Sequence, residues 1–182
     1  MEYSDWYLRI CFSTSVFGAT FQKVSGLELV AFAHADYTSK ATGRRSASGG
    51  AVMCAGACGC WFSKKCVTLS TTKAEYVALG DTIKGAMFSQ HVWSFIFSDF
   101  GATCTTVFED SEGARHLEVI PVRKSNSNHI DARHCFLRER IFRGKFIITH
   151  VASGEQQADF LTKSLGTTCT FFVYHREFLM NN

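Results

Sequence analysis

Leu69–Leu79, LSTTKAEYVAL, sets one carboxylate, Glu75, inside the first turns of an otherwise apolar helix. Ser70, Thr71 and Thr72 supply hydroxyls that can cap the orphan N–H groups of a helix start. Ala74, Val77, Ala78, Met87, Phe88, Val92 and Phe95 then recur at roughly helical spacing, which predicts a helix from Ser70 to about Phe97 with Glu75 at the edge of its apolar face. A Glu at that place has two readings. Either it complements the helix dipole, or it meets partners from distant parts of the chain.

Working outward, Leu27–Ala35 (LELVAFAHA) reads as a strand with Leu27, Leu29, Ala31 and Ala33 on one face and Glu28, Val30, Phe32 and His34 on the other. Asp36 lies just past it, before a polar connection that carries Arg44 and Arg45. Ser48–Ala55 and Gly59–Val67 then form a hairpin closed through Gly56 and Gly59, which leads straight into the capped helix. On the far side, Cys104–Glu109 is a fourth strand that ends at Asp110, and a short helical stretch, SEGARHLEV, stops by Pro121. His129–Phe142 has an amphipathic stripe of Ile130, His134, Leu137 and Ile141, with Gly144 as a C-terminal stop. Lys145–Val151 is a fifth strand, and the helix QADFLTKSL follows with Asp159 one turn in.

Three strands, a long helix, then alternating strand and helix is the pattern of an α/β layer fold. It predicts a five-stranded mixed sheet with an antiparallel three-strand start and helices on both faces. The expected organisation is a connecting segment over 1–25, one domain over 26–165, and a closing helix over 166–182 packed on that domain.

With 182 residues, 46% hydrophobic content and formal net charge +3, the chain is long enough to bury one substantial core. No apolar run approaches the length needed to cross a bilayer, and MEYSDWYLRI carries acids where a secretory signal carries a basic region. The expected address is intracellular, cytoplasmic or nuclear, and not secretory. The eight cysteines then read as reduced thiols. Cys54, Cys58 and Cys60 cluster, but no second pair at finger-like spacing follows, and their run also reads as two strands around a small-residue turn. Positive residues gather at Arg44 and Arg45, Lys64 and Lys65, Arg123 and Lys124, and from Arg133 to Lys145. That distribution permits a polyanionic partner, although such runs are also ordinary solvated faces.

Acids recur at the element ends: Asp36, Glu75, Asp110 and Asp159. Ligand sites in open α/β sheets gather at strand ends, so these carboxylates from distant segments can converge there. Converging carboxylates repel unless cations hold them. One or two Mg²⁺ ions are the natural solution, and two such ions about 4 Å apart are the usual apparatus for in-line phosphodiester cleavage.

RRSASGG, WFSKK, LSTTKAEYVAL, FEDSEGA, HIDARHCFLRE and ADFLTKSL occur in this order. The series resembles the ribonuclease H domain at the C-terminal end of copia-type retrotransposon Pol polyproteins, from about Tyr7 to the end of the chain. The resemblance implies a ribonuclease H-like fold that hydrolyses the RNA strand of an RNA–DNA hybrid at a four-acid site holding two Mg²⁺ (or Mn²⁺) ions. It also implies a reverse transcriptase part of the same polyprotein as a partner. Glu75, Asp110 and Asp159 match the second, third and fourth acids and are the implied metal ligands. Arg44, Arg45, Lys64 and Lys65 are the candidates for a nucleic-acid track, and His150 lies near where such enzymes often carry a mobile histidine.

The first acid departs from the family pattern, because the matching pair of residues is His34 and Asp36. Residues two apart on a strand share a face but sit roughly 6 to 7 Å apart, so Asp36 replaces the lost ligand only through a bulge or register shift. Imidazole suits softer metals than Mg²⁺. His34 therefore separates two expectations: an impaired hybrid nuclease with weak or absent Mg²⁺-dependent cleavage, or an inactive ribonuclease H-like fold that acts at most as a nucleic-acid-binding or interaction module. Zinc binding at the cysteine cluster is a third.

Overall fold

The computed structural model describes residues 28–37, 46–68, 70–97, 100, 104–111 and 128–162. Five strands, β1 (Leu29–Asp36), β2 (Ser46–Cys54), β3 (Ala57–Cys66), β4 (Thr105–Glu109) and β5 (Phe146–His150), form one sheet in the order β3-β2-β1-β4-β5. The β1–β2 and β2–β3 pairs are antiparallel; β1–β4 and β4–β5 are parallel. Two α-helices, α1 (Thr71–Ile96) and α2 (Asn128–Phe142), and two short 3₁₀ turns, Ser153–Glu155 and Asp159–Leu161, complete the described elements. The mixed sheet and its antiparallel start match the expectation. The N-terminal segment, the stretch around Pro121 and the closing helix lie outside the described residues.

Period-two alternation along β1 divides the interior. Leu29, Ala31 and Ala33 face α1 and α2, where they join Val52, Tyr76, Leu79, Ile83, Ala86, Val107, Leu137 and Phe146. Phe32 faces the other way, with Ala51, Met53 and Ala158, and its ring stacks on Phe108 at 5.0 Å. Both α-helices thus cover one face, and among the described residues the opposite face is covered by the Asp159–Leu161 turn. Fully burying a side chain such as Leu137 or Phe146 contributes about 1.5–3 kcal/mol.

Ser70 caps α1 as expected, its hydroxyl accepting from the Lys73 N–H at 3.3 Å. The expected apolar stripe holds only in the first half of the helix. Phe88 and Phe95 are 65% and 92% exposed, while the buried positions are Ala74, Glu75, Tyr76, Ala78, Leu79, Gly80, Thr82, Ile83, Ala86 and Ser89. The reason is steric: β1 and β2 present alanines and Gly50 to the helix. A Cβ on Gly50 would lie 2.3 Å from Thr82 Oγ1, so small residues make this contact and large ones are turned outward. Thr82 is satisfied there by donating to the Ala78 carbonyl at 2.8 Å.

The hairpin closes one step earlier than expected, on Ala55 and Gly56, both with positive φ (48° and 80°), the signs a tight two-residue turn requires. Gly59 lies within β3. The helix expected from Gln157 is a single 3₁₀ turn within the described residues, with Asp159 as its first residue. The three clustered cysteines divide between faces, Cys54 and Cys60 toward α1 and Cys58 toward the other side, which separates them as ligands of one ion.

Candidate active site

The site lies at the C-terminal ends of β1 and β4. In the parallel register Ala33 is opposite Glu109, so the next residues, His34 and Asp110, emerge side by side. β4 ends there, which leaves the Ala35 N–H without a strand partner on that side. Glu75 supplies one: its Oε2 accepts from Ala35 N at 2.6 Å. This carboxylate is 5% exposed and points into the sheet from the second turn of α1. Helix-dipole complementarity therefore does not account for it.

His34 sits at the centre of the cluster. Its Nδ1 is 3.1 Å from Asp110 Oδ1 and 4.0 Å from Glu75 Oε1, and its Nε2 is 3.1 Å from Asp159 Oδ1. The structure thus brings together Glu75, Asp110, Asp159 and His34. Asp36 stays apart: β1 pairs with β2 without a shift through Asp36↔Ala47, so no bulge carries its carboxylate back to the ring.

Asp159 reaches His34 because of a glycine. Gly49, paired with His34 across β1 and β2, lies directly under the turn. A Cβ there would come 2.7 Å from Leu161 Cβ and 3.2 Å from the Ala158 carbonyl oxygen. Three further bonds hold the segment. The Ser63 hydroxyl donates to the Leu161 carbonyl at 2.6 Å, Gln156 Nε2 donates to the Ala33 carbonyl at 2.8 Å, and the Ala158 N–H donates to Gln156 Oε1 at 3.2 Å. Consecutive glycines serve opposite faces, Gly49 admitting the turn and Gly50 admitting α1.

A further acid belongs to the cluster. Glu109 is 1% exposed, and its Oε2 is buried with no hydrogen-bond partner. Its position was readable from CTTVFE, where Thr105, Val107 and Glu109 alternate onto the inward face. No local signal marks Gln156, whose role depends on a partner over a hundred residues away.

The charges adjust to this crowding. Burial opposes protonation of His34, but the hydrogen bond its Nδ1–H donates to Asp110 and the charges of Glu75, Asp110 and Asp159 together raise its pKa above the ordinary 6.5. Burial pushes Glu75 up to about 7. Burial, with Glu75 and Asp110 beside it, raises Glu109 well above the usual carboxylate range. Asp110, although partly desolvated, is lowered by its hydrogen bond to His34 and by the charge of that ring.

Among the described residues, His34, Glu75 and Asp110 form a group able to hold a metal ion, one ligand atom of each lying within 4.8 Å of the others. Of the expected nucleic-acid track, Lys65 is exposed and shares the sheet face of His34 two strands away. Lys64 Nζ lies 3.6 Å from Asp81 and 5.0 Å from the Phe62 ring centroid. Arg44 and Arg45 lie outside the described residues. His150 is exposed, at the end of β5.

No protein-family model matches the chain. Over 140 residues it is 31% identical to the retrovirus-related Pol polyprotein from transposon TNT 1-94 of Nicotiana tabacum, a match that covers 74% of this chain and 10% of that protein. It is 30% identical over 167 residues to the retrovirus-related Pol polyprotein from transposon RE1 of Arabidopsis thaliana, covering 88% of this chain and 11% of that protein. The chain therefore spans about a tenth of the length of these two curated relatives. Among solved structures, LC11 ribonuclease H1 in complex with an RNA/DNA hybrid superposes with a TM-score of 0.51 at 13% identity, over 74% of this chain and 94% of that one. The chain is a homologue of the retrovirus-related Pol polyproteins of plant transposons and forms a ribonuclease H-like domain.

Proposed function

We propose that this domain, over residues 26–165, is the RNA–DNA hybrid-processing part of a retrotransposon Pol polyprotein, and that its Mg²⁺-dependent hydrolysis is impaired. The observation that carries the reading is the His34 ring between Asp110 and Asp159, with 3.1 Å on each side. Three acids of a four-acid hydrolytic site come together, and the fourth place is an imidazole. Mg²⁺ takes hard oxygen ligands in a near-ideal octahedron and dehydrates reluctantly. A ring nitrogen at the centre of the donor set, with Asp36 held away, does not build a two-Mg²⁺ site. Lys65 on the same sheet face, with Arg44 and Arg45 from the adjoining connection, is the proposed contact to substrate phosphates. A reverse transcriptase part of the same polyprotein is the proposed partner, and the proposed address is an intracellular compartment. No described helix is long and apolar enough to cross a membrane.

The test is a labelled RNA–DNA hybrid incubated with the purified chain in Mg²⁺ and in Mn²⁺, beside an Asp110→Asn control. Hybrid binding with weak or absent cleavage in Mg²⁺ is expected. Any cleavage that remains must vanish in the control. A chain that binds hybrid no better than duplex DNA contradicts the reading.

A further inference from the structure

We infer that His34 Nδ1, Glu75 and Asp110 form a binding site for a single divalent transition-metal ion of the Zn²⁺ or Co²⁺ kind, with Asp159 acting outside the metal as the carboxylate that orients the ring. The inference rests on the reading of this cleft as the hybrid-processing site, and changes the ion it takes and the part played by one acid.

The geometry supports one ion on the Nδ1 side. Ligand atoms bound to a common ion at about 2.0–2.2 Å are separated by roughly 3–4 Å. Nδ1 lies 3.1 Å from Asp110 Oδ1 and 4.0 Å from Glu75 Oε1, so small side-chain adjustments close the set. The Oε2 atom of Glu75 is already fixed by the Ala35 N–H, which holds the carboxylate in place. Nε2 faces the other way, 3.1 Å from Asp159 Oδ1. An ion entering here displaces to solvent the Nδ1 proton that Asp110 accepts, and with Nε2–H donating to Asp159 the Nδ1 lone pair is directed toward Glu75 and Asp110. This carboxylate–histidine–metal arrangement fixes the tautomer and raises the basicity of the ligating nitrogen. The ring thereby removes Asp159 from the metal on the Nδ1 side.

A second observation points to a cation independently of the ring. Glu109 is buried beside Glu75 and Asp110, and no donor reaches its Oε2. Three carboxylates, Glu75, Asp110 and Asp159, face the two nitrogens of the imidazole, and Glu109 lies behind them on the helix side of the sheet. A divalent ion between Nδ1, Glu75 and Asp110 offsets that excess. The donor set of one nitrogen and carboxylate oxygens selects Zn²⁺, Co²⁺ or their neighbours over Mg²⁺, because imidazole binds borderline ions far better than hard ones.

Co²⁺ is the probe, since its visible absorption reports both binding and ligand type. The metal-free full chain is titrated with CoCl₂, then challenged with Zn²⁺ and separately with a roughly 100-fold excess of Mg²⁺. The expected result is one equivalent of bound Co²⁺ that Zn²⁺ displaces and Mg²⁺ does not. His34→Ala removes this binding. Asp159→Asn retains the Co²⁺ spectrum but weakens affinity about 10–100-fold, as loss of an outer carboxylate does. Far-ultraviolet circular dichroism establishes that each variant is folded, and the competition on the parent chain needs no variant. The inference is overturned by absent Co²⁺ binding, by equal displacement with Mg²⁺, by binding that survives His34→Ala, or by the intense thiolate bands of cysteine ligation. Hybrid binding is measured on the same samples. Loss of metal binding with hybrid binding intact overturns this inference alone, and the converse result overturns the functional reading alone.

Discussion

Glu75 and His34 have pKa shifts of the same sign, and this gives the metal-free chain an unusual dependence on pH. Glu75 is raised from 4.5 to about 7 by burial, so its protonated form is favoured by folding. That contribution is complete below pH 4.5 and lost as pH rises through about 7. His34 is raised above 6.5, so its contribution is complete below 6.5 and lost as pH rises through its folded-state value. Asp110, lowered from 3.8, works oppositely and matters only in stronger acid. The urea midpoint of the metal-free chain is therefore expected to be highest near pH 5 and to fall toward pH 8. A midpoint that is flat or rises over that interval contradicts these assignments. At this scale the sequence was legible where a residue's neighbours are local. The inward side of Glu109 could be read from strand alternation, whereas His34 as the odd member of the acid set was legible only through the family resemblance, since the residues alone pointed to Asp36. That Asp36 stays away from the cluster could not be read, because it depends on whether β1 bulges, which its partner strand decides.

Two short elements position the site, and each makes its own prediction. The Asp159–Leu161 turn sits on the sheet through Gly49, where a Cβ would meet Leu161 Cβ at 2.7 Å. Gly49→Ala is expected to lift the turn, carry Asp159 away from His34 and destabilise the fold by about 1–3 kcal/mol, measured by chemical denaturation. An unchanged midpoint would mean that the turn is not held against the sheet. The start of α1 depends on the Ser70 hydroxyl, and Ser70→Ala is expected to cost about 0.5–2 kcal/mol in the same measurement. The start of this helix was plain in LSTTKAEYVAL because capping is local chemistry. Its buried face was not. Ala78, Thr82 and Ala86 are buried in place of Phe88 and Phe95, with Thr82 set directly over Gly50. A count of apolar residues follows size and hydrophobicity, whereas this interface selects small volume. Within the described residues the segment after Gln156 is a single 3₁₀ turn in place of the expected helix, for a related reason. Its conformation follows from Gln156 and Ser63 binding it to the sheet, contacts between residues far apart in sequence.

For the molecule as a whole, alternation of strand and helix was enough to predict the five-stranded mixed sheet, and the sheet order brings β1 and β4 side by side at its centre. This topology collects Glu75, Asp110 and Asp159 from segments separated by dozens of residues around His34. The fold therefore gathers three acids around one histidine, and in the proposed reading that one strand position sets the chemistry of the site. The most direct test of that claim is the rate of RNA cleavage in an RNA–DNA hybrid with Mg²⁺, compared between the parent chain and His34→Asp. The account predicts that the variant cleaves faster by at least ~10-fold, equivalent to about 1.4 kcal/mol of barrier, with the gain abolished by adding Asp110→Asn. A His34→Asp variant no more active than the parent would contradict it.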